Sequence, residues 1–188
     1  MKKLAIFASG SGSNAQKIYN FFQKKPDVII ECVVVSSPSA GIIDKAKDWG
    51  CNIIQIERDS FYSSDNLTKK LKKTNIDLVI LAGFLWLIPN HLLKGFPNKI
   101  LNIHPSLLPK YGGKGMYGMN VHKAVFEAKE SESGITIHTI DEEYDRGQIL
   151  FQESVNIKEC SSPKEIASAV LKSEHENFAK VIEEYLSK

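Results

Sequence analysis

The chain has 188 residues, of which 43% are hydrophobic and 24% are charged, and its formal net charge is +2. This length predicts one domain over residues 1–188 with a substantial hydrophobic core. The balanced, scattered charge argues against a nucleic-acid-binding or membrane-binding surface, although a few local groups can still hold a small anionic substrate.

Short apolar runs alternate with amphipathic segments through the first hundred residues. The predicted strands are 4–8, 28–35, 53–56, 77–81 and 99–101, and the predicted helices begin at Ser13, run through Ala46 and Trp49, and cover 61–73. Such alternation predicts an α/β fold, in which a mostly parallel sheet carries helices on both faces. Two further strands, 135–140 and 149–157, follow each other directly and predict that the sheet becomes mixed.

The cysteines and the apolar segments bear on where the protein works. Cys32, Cys51 and Cys160 have neither a CxxC nor a metal-ligand spacing, which is typical of a reducing compartment. The apolar run at the N-terminus is too short for a signal peptide, and the longest apolar stretch, 78–88, is too short to span a bilayer. We therefore expect a soluble cytoplasmic protein with no bound metal.

A long helix is predicted at the C-terminus. Ser162 supplies an N-cap, Pro163 a proline at the first helical position, and Glu165 the carboxylate of a capping box. Glu174 falls in the middle of the apolar stripe of this helix. A carboxylate there is either paired in the interior or faces a pocket, and the sequence leaves both readings open.

The first strand ends in a glycine-rich turn, Ser9-Gly10-Ser11-Gly12-Ser13-Asn14. Glycines let the backbone approach a ligand, and the N–H groups at a helix start favour an anion, so the turn predicts phosphate binding. A dinucleotide site would need an acid at the end of the second strand, where the chain has Ser36 and Ser37. The simplest alternative is a strand–helix turn without a ligand.

An amide and an imidazole are predicted to lie side by side after the fifth strand. Asn102 and His104 are two residues apart, so they project on the same side of an extended chain, and Pro105 keeps His104 extended. An amide donor can hold a developing oxyanion and a histidine can move protons near neutral pH, which suits acyl transfer. A polar strand end with a solvated histidine is the alternative reading.

The acidic loop 141–147 follows the strand that carries His138. Acidic loops are usually solvated, but a carboxylate beside His104 would favour the imidazolium form. The sequence does not decide which acid approaches the ring. His138 is either a core residue or part of the site, and His122 is expected on a helix surface or at a pocket rim.

Taken in order along the chain, these segments resemble the phosphoribosylglycinamide formyltransferases, the folate-dependent enzymes of purine synthesis. The matching segments, which run over essentially the whole chain, are 9–14, 81–84, 102–109, 145–148 and 174–175. The stretch 102–109 is specific for folate-dependent formyltransferases as a superfamily, and the glycine turn narrows the resemblance to this family. The resemblance implies a three-layer, Rossmann-like formyltransferase fold with a mostly parallel mixed sheet.

The resemblance also implies a reaction. The formyl group of 10-formyltetrahydrofolate, the co-substrate, would pass directly to the amine of glycinamide ribonucleotide (5-phosphoribosylglycinamide) in de novo purine biosynthesis. Asn102 would donate to the oxyanion, His104 would act as general acid and base, and Asp145 would raise the His104 pKa. The implied substrate contacts are Ser11, Gly12, Ser13, Asn14 and Glu174.

The implied folate contacts lie in two segments and at the catalytic asparagine. They are Leu85, Trp86, Leu87, Ile88, Asn102, Ile140, Asp141 and Glu142. Trp86 departs from the family, many members of which carry arginine there. The glycine-rich stretch 112–118 is longer than the common form and is a candidate for a mobile lid.

Three other functions compete with the transferase. A formyltetrahydrofolate hydrolase shares the donor and the catalytic trio, but usually has an N-terminal regulatory domain and a histidine where this chain has Pro105. A methionyl-tRNA formyltransferase would need a C-terminal tRNA-binding domain and more positive charge. A non-catalytic sugar-phosphate-binding module is the alternative from another class. The expected partners are therefore small molecules, with neither nucleic acid nor membrane.

Overall fold

The computed structural model describes residues 1–141 and 147–188. The chain divides into two compact units, unit one (Met1–Leu101) and unit two (Asn102–Lys188), and the boundary lies inside the fifth strand. The expectation of a single domain over 1–188 stays a prediction.

Unit one alternates strands and helices. Its elements are β1 (Lys2–Ala8), α1 (Ser13–Phe22), β2 (Val28–Val35), α2 (Ile42–Asp48), β3 (Asn52–Gln55), α3 (Arg58–Ser63), α4 (Asn66–Lys73), β4 (Leu78–Leu81), α5 (Asn90–Gly95) and the start of β5 (Ile100–His104). The strand order is β3-β2-β1-β4, with β5 beside β4, and the pairs β1–β2, β1–β4 and β2–β3 are parallel. Both β1 from Leu4 onward and all of β4 are buried, as continuous apolar strands of a parallel sheet should be.

The predicted elements of unit one agree with the structure except between residues 61 and 73. One helix was expected there, but the structure has α3 and α4, so that prediction is wrong. Ser64 has an extended backbone, with φ −134° and ψ 140°, and its Oγ accepts the N–H of Asn66 at 3.2 Å. A serine hydroxyl that satisfies a nearby N–H competes with the helix in this way. Helix α5 was not predicted.

Unit two contains the rest of β5, α6 (Met119–Glu127), β6 (Glu132–Thr139), β7 (Ile149–Asn156) and α7 (Pro163–Leu186). The strand order is β5-β6-β7, and β6 and β7 are antiparallel, which confirms that the sheet is mixed. Gly134 of β6 is required by packing, because a Cβ there would collide with the Glu153 carbonyl oxygen of β7 and would lie 2.6 Å from Leu107 Cδ2.

Helix α7 begins as its sequence predicts. The Ser162 hydroxyl accepts the N–H of Glu165 at 3.3 Å, and the Glu165 carboxylate accepts the N–H of Ser161 at 2.7 Å. The Ser161 backbone N–H, and next the Ser161 hydroxyl, which donates to the same carboxylate at 2.9 Å, hold the pKa of Glu165 below its usual value. Glu174 is 8% exposed, so its predicted inward position is confirmed. Among the described residues, α7 and every other helix are too short or too polar to cross a membrane.

Candidate active site

The glycine turn of unit one has a left-handed residue at its centre. Gly12 has φ 71° and ψ 33° and is the N-cap of α1. A Cβ at this position would lie 2.7 Å from Ile42 Cβ, so both the backbone angle and the packing require glycine. Within the described part of the chain, no side chain caps α1. The first N–H groups of a helix have no partner inside it, and the predicted phosphate contacts Ser13 and Asn14 begin this helix.

Helix α2 brings a cation to the same turn. The Lys45 ammonium donates to the Ser11 carbonyl at 2.7 Å, and the Ile42 N–H donates to the Gly10 carbonyl at 3.3 Å. Lys45 therefore adds a positive charge beside a turn that is predicted to hold an anion. Lys45 could not be identified from the sequence, because it lies 34 positions from Ser11 and belongs to no motif.

Two serines connect the glycine turn to the segment that follows β4. The hydroxyls of Ser9 and Ser36 are 2.7 Å apart, and the Leu85 N–H donates to Ser9 Oγ at 3.1 Å. Ser36 directly follows the end of β2, where a dinucleotide-binding chain needs an acid. The turn is therefore built around hydroxyls instead of a ribose-binding carboxylate.

Trp86 lies in an aromatic cluster of unit one. Its ring centroid is 5.7 Å from that of Phe61, 6.1 Å from Phe84 and 6.5 Å from Tyr62. The guanidinium of Arg58 lies 5.9 Å from the Trp86 ring centre, within the range of a cation–π contact. This cluster was not predicted; the phenylalanine, tyrosine and arginine of α3 are its only sign in the sequence.

The other predicted folate contacts of unit one alternate around Trp86. Leu85 and Leu87 are 52% and 49% exposed, whereas Ile88 is buried. Exposed leucines of this size are available to an apolar ligand.

In unit two, Asn102 is held by a histidine of the neighbouring strand. Asn102 Nδ2 lies 3.2 Å from His138 Nε2, and His138 Nδ1 lies 2.8 Å from the Thr139 carbonyl. A carbonyl can only accept, so Nδ1 carries the proton of the neutral ring and Nε2 accepts from the Asn102 amide. His138, which the sequence left open between core and site, is fully buried and orients the predicted oxyanion donor.

His104 is held by the chain that follows it. Its Nε2 lies 2.8 Å from the Tyr111 carbonyl, and the residue is 4% exposed. Because a carbonyl only accepts, Nε2 carries a proton and Nδ1 is the basic nitrogen of the neutral ring. The reading of His104 as a solvated histidine is wrong, since the side chain is buried.

Hydrogen bonds from Thr136 fix the segment after His104. Its hydroxyl donates to the Ser106 carbonyl at 2.6 Å and accepts the Leu108 N–H at 3.0 Å. Gln152 Nε2 donates to the Leu108 carbonyl at 2.9 Å. The segment is therefore attached to β6 and β7, which orders the backbone that follows the histidine.

His122 lies inside unit two, not on a helix surface. It belongs to α6, is 6% exposed, and its buried Nδ1 has no hydrogen-bond partner among the described residues. Burial first, and then the charge of His104, lower the pKa of His122 to about 4. The ring is therefore neutral at physiological pH.

The remaining predicted site residues are distributed as follows. Glu174 is buried on α7, while Ile140 is half-buried and Asp141 exposed just after β6. Asp145 and Glu142 lie outside the described residues.

Among residues 1–141 and 147–188, no group of three or more His, Cys, Asp or Glu side chains could hold a metal ion. Cys32 is buried, and its surroundings raise the pKa of its thiol to about 12, chiefly by desolvation, as expected of a core residue.

Several known proteins are similar to this chain in sequence. A family model described as formyl transferase matches residues 2–182. The chloroplastic phosphoribosylglycinamide formyltransferase of Arabidopsis thaliana is 41% identical over 189 residues, and the match covers 96% of this chain and 64% of that protein. The phosphoribosylglycinamide formyltransferase of Bacillus subtilis is 32% identical over 191 residues, covering 99% of this chain and 95% of that protein.

A solved structure agrees over the full length. The crystal structure of phosphoribosylglycinamide formyltransferase from Bacillus halodurans has a TM-score of 0.88 and 31% identity, covering 100% of this chain and 96% of that chain. The predicted α/β fold with a mostly parallel mixed sheet is thereby confirmed. The chain belongs to the formyl transferase family, in the group whose members are named phosphoribosylglycinamide formyltransferase.

Proposed function

We propose that this chain transfers the formyl group of 10-formyltetrahydrofolate to the amine of 5-phosphoribosylglycinamide, a step of purine biosynthesis. The observation that carries the proposal is the end of β5, where Asn102 and His104 project on one side and each is held by a hydrogen bond. The names of the relatives support the same reaction. The chain spans 64% of the length of the Arabidopsis protein.

Asn102 and His104 divide the chemistry between them. As the amine attacks, the formyl oxygen gains negative charge, and one amide hydrogen of Asn102 is available to it because the other is directed at His138. His104 moves protons between the attacking amine and the departing nitrogen, which typically contributes 10²–10⁴ in rate. Asp145 favours the protonated form of His104 through its charge in this proposal.

The two substrates use different segments. The phosphate of the acceptor lies against Ser11, Gly12, Ser13 and Asn14, where helix N–H groups and Lys45 favour an anion. Glu174 contacts the same substrate. The folate lies against Leu85–Ile88, with Trp86 supplying an aromatic face, and against Asn102 and residues 140–142.

Location, metal and partners remain predictions. We propose a cytoplasmic protein that works on small molecules without a metal ion, a membrane or a nucleic acid. The name of the Arabidopsis relative places that protein in the chloroplast.

The assay that tests the function mixes the protein with 10-formyltetrahydrofolate, with and without 5-phosphoribosylglycinamide, and follows deformylation of the folate. Release that requires the acceptor supports the transferase. Release without the acceptor would instead assign a hydrolase, and binding without turnover would assign a sugar-phosphate-binding module. Asn102→Ala should lower kcat by about 10²–10³ in the transferase assay, with the fold unchanged by circular dichroism.

A further inference from the structure

Tyr111 has a backbone conformation that its side chain disfavours. Its φ is 55°, in the left-handed region that few residues other than glycine and asparagine adopt. Two hydrogen bonds hold this turn: the Ser106 hydroxyl donates to the Lys110 carbonyl at 2.6 Å, and the Tyr111 hydroxyl donates to Glu130 Oε1 at 2.9 Å. A disfavoured conformation persists only where its surroundings impose it, and it often marks a functional position.

The contact between Tyr111 and Glu130 joins a neutral phenol to an ionised carboxylate. A hydrogen bond from a phenol to a carboxylate is charge-assisted and is about twice as strong as a neutral one. The pKa of Glu130 is lowered by the Tyr111 hydroxyl first and by Lys110 next, and the pKa of Tyr111 is raised by desolvation and by the carboxylate. Both shifts are those of an ionised carboxylate that accepts from a neutral phenol.

The backbone of Tyr111 is directed at His104. The carbonyl that accepts from His104 Nε2, at 2.8 Å, belongs to the residue whose side chain is anchored by Glu130. We propose that Glu130 and Tyr111 are positioning residues, which hold the Tyr111 carbonyl against His104 so that Nε2 keeps its proton and Nδ1 exchanges protons in the reaction. Neither residue touches the substrate in this scheme. The expected change in kcat rests on the proposed formyl transfer, but the expected tautomer of His104 does not.

Four variants separate positioning from simple stability. Tyr111→Phe removes only the hydroxyl, and Glu130→Ala removes the acceptor. Glu130→Gln keeps an oxygen that can accept from Tyr111, so it should rescue most of the effect. Lys110→Gln is the matched control, because Lys110 also contacts Glu130, at 3.2 Å, but its side chain is 69% exposed and such pairs contribute little.

Nitrogen NMR of the histidine rings reads the tautomer directly, with the His104 signals assigned by their loss in His104→Asn. Wild type and Lys110→Gln should show a single neutral form protonated at Nε2. Tyr111→Phe and Glu130→Ala should show a mixture of tautomers and a kcat that is about five- to tenfold lower, with KM changed less than twofold.

Two results would overturn the proposal: a wild-type ring protonated at Nδ1, or a fixed Nε2–H tautomer that survives in Tyr111→Phe. The tautomer can be measured even if the protein transfers no formyl group, so a failure of the proposed function is distinguishable from a failure of this inference. If Glu130→Ala does not fold, Tyr111→Phe still decides the question.

Discussion

Asn102 and His138 are 36 residues apart in the chain, yet the Asn102 amide nitrogen lies 3.2 Å from His138 Nε2, across neighbouring strands. This contact fixes the orientation of the Asn102 side chain, because the amide nitrogen is the end that must face His138. An oxyanion donor is effective only when it is oriented before the charge develops. His138 should therefore act on the reaction through Asn102, without touching the substrate.

We expect His138→Leu to lower kcat about five- to tenfold, because Asn102 loses the acceptor that orients it. His138→Gln, whose side-chain oxygen can still accept, should lose less. The kinetics of the double variant Asn102→Ala/His138→Leu provide the critical comparison. If His138 acts through Asn102, the double variant should be no slower than Asn102→Ala; multiplied effects would show an independent role.

Lys45 should matter for binding of the phosphate. We expect Lys45→Gln to raise KM for 5-phosphoribosylglycinamide about fivefold, with kcat little changed, because a cation is lost beside the turn. Lys47→Gln is the matched control: it makes the same change of charge on the same helix, where Lys47 pairs with Asp44 at 3.3 Å. Titration with inorganic phosphate should rank the variants in the same order. If the two substitutions raise KM equally, Lys45 acts only through the net charge of the protein.

His122 should make the stability of the protein depend on pH. Its pKa is about 4 in the folded chain and about 6.5 in the unfolded chain, because burial and then the charge of His104 disfavour the proton. The unfolded state therefore binds more protons between these values. The free energy of unfolding should fall as the pH drops from about 6.5 to about 4, by up to roughly 3 kcal/mol, and this contribution is fully present above pH 6.5.

Urea unfolding at several pH values between 4 and 7 measures this dependence. His122→Gln removes the titrating group, so its stability should decline less steeply than that of the wild type over the same range. The comparison uses the slope with pH and not the absolute stability, which the substitution also changes. Parallel slopes would mean that His122 is not the group responsible.

Trp86 should report folate binding by its fluorescence. The chain has two tryptophans, so Trp49→Phe leaves Trp86 as the single reporter and keeps an aromatic ring against Tyr19, which Trp49 stacks on at 4.5 Å. We expect titration with 5-formyltetrahydrofolate to quench this emission. Trp86→Phe should bind with similar affinity, and Trp86→Ala about two- to tenfold more weakly, from the loss of an aromatic contact. An unchanged emission at saturating folate would place the ligand elsewhere.

Periodicity predicted the regular elements well. The bounds of α1 and β2 follow from their apolar patterns, and the start of α7 follows from Ser162 and Pro163, because the signals for these elements are local. The break between α3 and α4 was missed because the apolar spacing continues across Ser64, although the helix itself ends there.

The candidate site was only half visible in the sequence. Asn102 and His104 could be identified because they lie two residues apart on one strand. Their partners could not, since the contact to His138 depends on which strands pair, and the contact to Tyr111 depends on a left-handed backbone at a residue that is not glycine. Strand pairing and disfavoured backbone angles are set by the whole fold.

The hydroxyl pair of Ser9 and Ser36 limits which substitutions could give this protein a different ligand specificity. A nicotinamide enzyme could not be obtained by Ser36→Asp alone, although that substitution completes the required pattern on paper. The new carboxylate would displace the hydroxyl that lies 2.7 Å from Ser9, and Ser9 in turn accepts the N–H of Leu85. Redesign toward a dinucleotide would therefore have to rebuild three chain segments together, which makes the present ligand preference resistant to single mutations.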